Sequence, residues 1–256
     1  MNKSQRNRFS ANHRIRRNTL IIELGKLHRV LSSAPRGGGL VRARSILNHQ
    51  VAPNPELHGK KVAPASSGMT KWSDPARFLG KLAAGVRADS PVVGLMTAVP
   101  MKQLVKARET AGKIWVECFC TVGVTNAVKA GEPAAYGGRI RRCDRPGTIN
   151  IILITNATLA LPAMVGAVQV ATESKTATLI EQDVRSASGL FPATGTGTDA
   201  IVVASSIDGT YKVQYSGTHT AIGSMIGRLV ARCVRDGLHR SDRWHRNNPK
   251  SGSSRR

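Results

Sequence analysis

The chain has 256 residues and a mass of 27.4 kDa, which suits one sizeable domain with tails. Hydrophobic residues make up 41% of it but aromatic residues only 4%, so the predicted core is aliphatic. Ordinary Gly and Pro contents exclude collagen-like and low-complexity classes, and no apolar run is long enough to cross a membrane. The N-terminus lacks the apolar segment of a secretory signal, so we expect a cytoplasmic protein without membrane insertion.

The net charge is +23, and almost half of the excess lies near the two ends. Residues 1–17 carry six Lys or Arg and no acidic residue, and residues 236–256 carry six against two. Such segments are typically disordered, so we predict basic tails at 1–18 and 236–256 around one domain at 19–235. Basic tails can contact nucleic acid through its phosphates, but no motif for specific recognition accompanies them.

The four cysteines show neither C-x-x-C pairs nor a dense framework. They are typical of free thiols in a reducing compartment. No local metal-ligand spacing is present either, so we expect neither a bound metal nor another cofactor. The cysteines are Cys118, Cys120, Cys143 and Cys233.

In chain order, the first predicted elements are two short β-rich runs at 19–24 and 29–33, which predict a hairpin around Gly25 and Lys26. The Pro, Gly and Ser residues of 52–74 predict a long loop.

A helix is predicted to follow this loop, because Asp74 is a favourable N-cap and Pro75 suits the first helical turn. It should end near Val86. We then predict a buried strand at 91–99 and a short helix at 100–111.

The second half alternates strands with helices. We predict strands at 113–122, 147–155 and 200–205, with a helix at about 161–182. A last helix is marked by apolar residues at spacings of three and four. These are Ile222, Met225, Ile226, Leu229, Val230, Cys233 and Val234. The pattern predicts a single α/β domain with a central mixed sheet flanked by helices.

Polar, glycine-punctuated segments stand at the ends of the predicted strands. Strand ends of open α/β sheets collect ligands, and this lining suits a large, amide-decorated, roughly neutral ligand better than a polyphosphate. The main segments are Arg29-Val-Leu-Ser-Ser-Ala-Pro35, Ile46-Leu-Asn-His49, Gly123-Val-Thr-Asn-Ala127, Gly147-Thr-Ile-Asn-Ile-Ile152, Ala171-Thr-Glu-Ser-Lys-Thr-Ala177, Ala193-Thr-Gly-Thr-Gly-Thr-Asp199 and Gly217-Thr-His219.

In this order, these segments resemble the adenosylcobinamide amidohydrolase family, the salvage enzymes of cobalamin metabolism. The resemblance spans about residues 19–235. It implies hydrolysis of the amide that joins aminopropanol to the corrin ring, giving adenosylcobyric acid and aminopropanol. The corrinoid is then the substrate rather than a cofactor. The resemblance leaves the oligomeric state and the role of the tails open.

Amide hydrolysis needs a nucleophile, a base and donors for the oxyanion. His219, just before the last helix, is a candidate base, and Asp199 is a candidate to orient it or to activate water. If 207–217 is a hairpin-like excursion, the two side chains should meet. The structural alternatives are a capping or packing histidine and a turn aspartate that bonds its own backbone.

Thr196 and Glu173 are two further catalytic candidates, and each also has a structural explanation. Thr196 could be a nucleophile, or its glycine-rich turn could cradle the oxyanion; otherwise the segment is a flexible turn. Glu173 is a second candidate base. It cannot share a helix face with Lys175, so either one of the two is solvated or the helix is broken there.

Other polar residues are candidates for substrate binding, particularly of corrin amide groups. Strand-end capping and turn formation are their structural alternatives. The substrate-binding candidates are Ser32, Ser33, Asn48, Thr125, Asn126, Asn150, Lys175, Thr194 and Thr198.

Two other function classes stay open on the sequence. One is a non-catalytic corrinoid- or RNA-binding protein on the same fold that uses its basic surface. The other takes 193–199 as a phosphate cradle, which would indicate a phosphatase or a nucleotide enzyme.

Overall fold

A mixed sheet of eight strands forms the centre of the molecule in the computed structural model, which describes residues 11–51, 74–132 and 147–247. The strand order is β4-β3-β2-β11-β8-β6-β5, and β1 pairs with β2. These strands are β1 (Asn12–Arg16), β2 (Thr19–Ser32), β3 (Gly39–Gln50), β4 (Val92–Thr97), β5 (Val105–Ala111), β6 (Ile114–Val122), β8 (Ile149–Thr155) and β11 (Ala200–Ser206).

Two small strand pairs and three helices complete the described elements. The pairs join β7 (Ala127–Val128) to β10 (Gly195–Thr196) and β9 (Thr158–Leu159) to β12 (Lys212–Val213). The helices are α1 (Pro75–Gly85), α2 (Leu161–Glu181) and α3 (Ala221–Asn247). The predicted α/β fold with a central mixed sheet flanked by helices is confirmed. None of these helices is long and apolar enough to cross a membrane, as far as the described residues extend.

The sheet is curled, as shown by hydrogen bonds from a side chain of β8 to β3 and β4, which are not its neighbours in the sheet. Asn150 on β8 donates Nδ2 to the Met96 carbonyl of β4 at 2.8 Å and to Oδ1 of Asn48 on β3 at 3.0 Å. The inner face buries an apolar cluster that includes Ile46 and Phe119. On the outer face, α2 and α3 cover one part of the sheet and α1 covers the start of β2.

The apolar stripe of the last helix is buried, as predicted. All seven of its residues have at most 3% of their surface exposed. Cys233 of this stripe meets Cys118 on β6, and the hydrogen bond between them, together with burial, raises the pKa of the Cys118 thiol. Cys118, Cys120 and Cys233 are free thiols, while Cys143 lies outside the described residues.

The described structure extends beyond the predicted domain at both sides. Residues 12–16, which the charge pattern places in the tail, form β1. It pairs with β2 through a two-residue turn at Arg17 and Asn18, both with positive φ (49° and 55°). The α3 helix continues past 235 to Asn247. Charge alone therefore does not separate a solvated tail from an edge strand whose outer residues are basic.

Two predicted elements are wrong. The hairpin at 19–33 is one continuous strand, and Gly25 (φ 73°) lies in an irregularity of its pairing with β3 rather than in a chain reversal. The helix at 100–111 is a single turn at Met101–Gln103 followed by β5. Val105 and Ala107 are buried on β5 while Lys106 between them is exposed, which is the period of a strand.

The other predicted strands, and the helices predicted at 75–86 and 161–182, are confirmed within one or two residues. The N-cap of α1 is as expected, since the Asp74 carboxylate accepts a hydrogen bond from the Arg77 amide at 2.8 Å. The predicted loop at 52–74 lies outside the described residues except for Asp74.

Candidate functional site

A cavity of about 420 Å³ opens between α2 and the strand ends where β2 finishes and β11 begins. One wall is apolar and the other carries hydroxyl, ammonium and carboxylate groups. The lining residues are Leu31, Ser32, Ser33, Val165, Val168, Thr172, Lys175, Asp199 and Ile201. Four of the candidates from the sequence therefore meet in one cavity: Ser32, Ser33, Lys175 and Asp199.

The polar centre of the cavity is an ion pair. Lys175 projects from the middle of α2, and its Nζ lies 2.5 Å from Oδ2 of Asp199. The side chains are 8% and 13% exposed, so both charges are largely withdrawn from water. A buried charge needs a partner, and each of these groups supplies it for the other.

The Asp199 carboxylate is held by three further donors. Its Oδ1 accepts from the Ile149 amide at 2.9 Å and from Oγ1 of Thr196 at 2.5 Å. Its Oδ2 also accepts from the Thr196 amide at 3.0 Å. The carboxylate thus joins the start of β8, the turn before β11 and α2, and its orientation in the cavity is fixed.

Gly195 is required at this ion pair because no side chain fits there. A Cβ on residue 195 would lie 2.5 Å from Oδ2 of Asp199 and 2.7 Å from Nζ of Lys175. Both distances are far below a normal contact. The close approach explains why glycine stands in this turn.

Ser32 and Ser33 present different hydroxyls to the cavity. Ser32 is buried, and its Oγ donates to the Gly37 carbonyl at 3.3 Å. Ser33 is exposed, and its Oγ accepts from the Ile201 amide at 3.3 Å. The proton of the Ser33 hydroxyl has no acceptor among the described residues, so it is the one that can be donated to a ligand.

The expected contact between Asp199 and His219 is absent. His219 is exposed and does not line the cavity, and the lone pairs of Asp199 face Lys175, Thr196 and Ile149. The segment 207–217 does return, but Ser216 donates its Oγ to the Ala163 carbonyl at 2.6 Å. The excursion is therefore anchored at the start of α2, and His219 follows it there.

Glu173 and Lys175, the two candidates on α2, lie in different environments. The helix is continuous through both, with Glu173 exposed and Lys175 buried. The spacing argument is thus confirmed: one of the two is solvated. Within the described contacts Glu173 has no part in the cavity.

Asn48 and Asn150 lie inside the protein rather than at the cavity, each 1% exposed. Asn48 donates Nδ2 to Oγ1 of Thr121 at 3.1 Å and accepts from Asn150. Direct contact with a ligand is therefore not what these amides do here. They connect strands of the curled sheet, and Thr148 extends the network by donating to the Thr198 carbonyl at 2.8 Å.

The remaining candidates do not line the cavity, and three of them, Thr125, Asn126 and Thr198, lie close to Gly147. Thr194 accepts from the Ala130 amide at 2.8 Å through Oγ1, and Thr198 donates Oγ1 to the Gly147 carbonyl at 3.3 Å. Thr125 and Asn126 are half-buried in the same region. Oδ1 of Asn126 is buried and has no hydrogen-bond partner among the described residues.

The sequence analysis missed the apolar wall and Thr172. Val165, Val168 and Thr172 lie three and four residues apart, on one face of α2. That face is half solvated, since Val165 is 53% exposed. An apolar residue in water is not peculiar to this face, since Leu161 and Ile180 of the same helix are also about half exposed, so no pattern in the sequence marked Val165 as part of a cavity.

A metal centre is not evident in residues 11–51, 74–132 and 147–247. No three His, Cys, Asp or Glu side chains come together there in a way that could hold a metal ion. The polar groups of the cavity are a lysine, a carboxylate and hydroxyls.

Comparison with known proteins gives consistent results. An uncharacterized protein of Methanocaldococcus jannaschii is 32% identical over 240 residues, covering 88% of this chain and 87% of that protein. The adenosylcobinamide amidohydrolase of Methanosarcina mazei is 29% identical over 234 residues, covering 88% and 96%. The enzyme of the same name from Halobacterium salinarum is 34% identical over 163 residues, covering 61% and 62%. The model of the adenosylcobinamide amidohydrolase family matches residues 3–246, nearly the whole sequence, and the chain belongs to that family.

Proposed function

We propose that this protein hydrolyses the amide between aminopropanol and the corrin ring of adenosylcobinamide, giving adenosylcobyric acid and aminopropanol for corrinoid salvage. The observation that carries the proposal is the Lys175–Asp199 pair, which lines a cavity with one apolar wall. The family supplies the substrate class. The proposal is supported by the ammonium and carboxylate groups in the cavity, because amide hydrolysis uses a base and a donor for the oxyanion.

The size and lining of the cavity suit the side arm of a corrinoid. At about 420 Å³ it lies within the usual range for small-molecule sites, but it is too small to enclose the macrocycle. The arm that ends in aminopropanol would enter, and the ring would lie across the mouth. The exposed Val165 at that mouth offers apolar contact to the ring.

Hydrolysis would begin when Lys175 turns one N–H from Asp199 to the amide carbonyl oxygen. The ammonium group then stabilises the negative charge that develops there. When the Lys175 ammonium group turns away, a lone pair on Oδ2 of Asp199 becomes free. The carboxylate then takes a proton from water as the water oxygen bonds to the carbonyl carbon. The carbon–nitrogen bond breaks, and the proton passes from Asp199 to the leaving nitrogen. The products are a carboxylic acid and a free amine.

Thr196 acts on this reaction through Asp199. Its amide and hydroxyl both donate to the carboxylate, and the Ile149 amide adds a third bond. These donors keep the carboxylate in place when Lys175 moves to the substrate. Thr196 is therefore a positioning residue, and water is the nucleophile.

The test is incubation of the purified protein with adenosylcobinamide, followed by detection of adenosylcobyric acid and aminopropanol. Asp199→Asn should lower turnover by about 10²–10⁴-fold, the usual contribution of a general base. Glu109→Gln is the matched control, because Glu109 forms an ion pair with Arg228 at 2.6 Å outside the cavity. Near-wild-type turnover in folded Asp199→Asn, or in folded Lys175→Met, would overturn the mechanism.

A further inference from the structure

A second cavity of about 320 Å³ lies at the opposite ends of β8 and β11, where their carboxyl termini emerge. The carboxyl ends of parallel strands are the usual place for ligands in open α/β sheets. Nothing in the proposed amide hydrolysis uses this cavity. Its lining residues are Ala11, Leu24, Lys26, His28, Trp115, Ile154, Asn156, Ser206, Asp208, Gly209, Thr210 and Tyr211.

Ser206 and His28 are neighbours across two antiparallel strands in this cavity. They are register partners in the β2–β11 pair, so their Cβ atoms are about 4.5–5.5 Å apart on the same face of the sheet. Both are more than nine-tenths buried, with 4% and 6% of their surface exposed. Within the described residues, Oγ of Ser206 and Nε2 of His28 have no hydrogen-bond partner, and both side chains line the cavity.

A third group orients the histidine. Nδ1 of His28 lies 3.0 Å from the Lys26 carbonyl, which can only accept, so Nδ1 carries the proton and Nε2 the lone pair. Burial lowers the pKa of His28 below its ordinary value of 6.5, so the ring is neutral at pH 7. Gly25, at φ 73°, places Lys26 in the strand irregularity from which its carbonyl reaches the ring.

We propose that this cavity is a second active site, in which Ser206 is an acyl-accepting nucleophile and His28 its base. A serine beside a histidine that a third group orients is the arrangement that nucleophilic catalysis uses, and its bonds are often long before substrate binds. The structure has no direct hydrogen bond between the two side chains. The cavity volume of about 320 Å³ restricts the size of the substrate, and the serine–histidine chemistry suits a small carboxylic ester.

The reaction would proceed in two steps, acylation of the serine and hydrolysis of the acyl-serine. Oγ of Ser206 bonds to the ester carbonyl carbon while its proton passes to Nε2 of His28, and the alcohol leaves with that proton. Water then attacks the acyl-serine and gives one proton to His28. As the bond between the acyl carbon and Oγ breaks, His28 returns this proton to Oγ, and the carboxylic acid and the free serine are released. Lys26 lines the same cavity, where its ammonium group would stabilise the negative charge of the oxyanion.

Diisopropyl fluorophosphate tests this proposal in the full chain, because it phosphorylates an activated serine with loss of fluoride. Mass spectrometry should locate the adduct on Ser206, and Ser206→Ala should remove it. His28→Gln should slow labelling by about 10²–10⁴-fold. Ser188→Ala is the control, since Ser188 is exposed and hydrogen-bonded to Ser186 rather than to a histidine.

The measurement is independent of the amide hydrolysis. Ser206→Ala should hydrolyse adenosylcobinamide as the wild type does, and a melting curve shows that the variant is folded. Turnover of p-nitrophenyl acetate gives the second readout and should fall with the same two substitutions. Absence of an adduct on Ser206, an adduct on another serine, or equal labelling rates in wild type and folded His28→Gln would overturn the second site.

Discussion

Nζ of Lys175 and Oδ2 of Asp199 lie 2.5 Å apart, and they come from a helix interior and a glycine-rich turn 24 residues later. Neither residue has an alternative charged partner among the described ion pairs. The helix presents the lysine and the turn presents the carboxylate, so the pair exists only when α2 docks on the end of β11. The candidate site is thus a product of tertiary packing.

Replacing Gly195 should disrupt this pair. Gly195→Ala places a Cβ 2.5 Å from Oδ2 of Asp199, so the ion pair must separate or the turn must move. We expect turnover of adenosylcobinamide to fall at least tenfold. Gly197→Ala is the matched control from the same turn, because a Cβ there meets nothing within 4 Å. Equal turnover in the two variants would contradict the role of Gly195.

Asp199 and His219 should behave as independent residues. They make no contact, and effects of substitutions at sites without shared partners are usually additive in free energy. Turnover of the double variant Asp199→Asn/His219→Ala should therefore equal the product of the two single effects. A double variant no worse than the worse single one would instead indicate that the two residues work as a unit.

Asn150 should affect stability more than substrate affinity. Asn150→Leu leaves Oδ1 of Asn48 and the Met96 carbonyl without their donor in a buried region. Each buried group that loses its partner costs about 1–3 kcal/mol in the free energy of unfolding. Urea denaturation measures the loss. Since Asn150 is 1% exposed, KM for adenosylcobinamide should stay near the wild-type value, and a large rise in KM would argue for direct contact with substrate.

Stability should decrease as the pH falls below the ordinary histidine pKa. Burial lowers the pKa of His28 and of His49 in the folded protein from 6.5. Between 6.5 and the lowered values the unfolded chain binds more protons, so the free energy of unfolding falls as the pH decreases and levels off below them. Urea titrations from pH 7.5 downward measure the slope. It should become shallower in His28→Gln/His49→Gln, and an unchanged slope would assign it to other groups.

Sequence patterns predicted those helices whose ends or buried faces depend on residues close together in the chain. Asp74 capped α1 as expected, and the apolar spacing from Ile222 to Val234 defined the buried face of α3. The helix predicted at 100–111 is wrong because the apolar alternation at Val105 and Ala107 is too short to indicate a strand by itself. Pairing with β6, which is a tertiary contact, makes this segment a strand.

The sequence indicated individual residues of the candidate site, but it did not indicate which of them lie in contact with one another. The glycine and threonine turn indicated Asp199, and the helical spacing separated Glu173 from Lys175. The partner of Asp199 depends on how α2 docks, which no local pattern encodes. For the same reason Asn48 and Asn150 could not be told from ligand-binding amides until the curl of the sheet placed them against each other.

The bond between Asn48 and Asn150 joins residues 102 positions apart, which has a consequence for synthesis on the ribosome. At about 5–20 residues per second, the partner of Asn48 emerges roughly 5–20 s after it. During that time the inner faces of β2 and β3 have no β8 or β11 to cover them. The N-terminal strands of this chain are therefore the part most exposed to aggregation before folding is complete, and the part on which a chaperone would act.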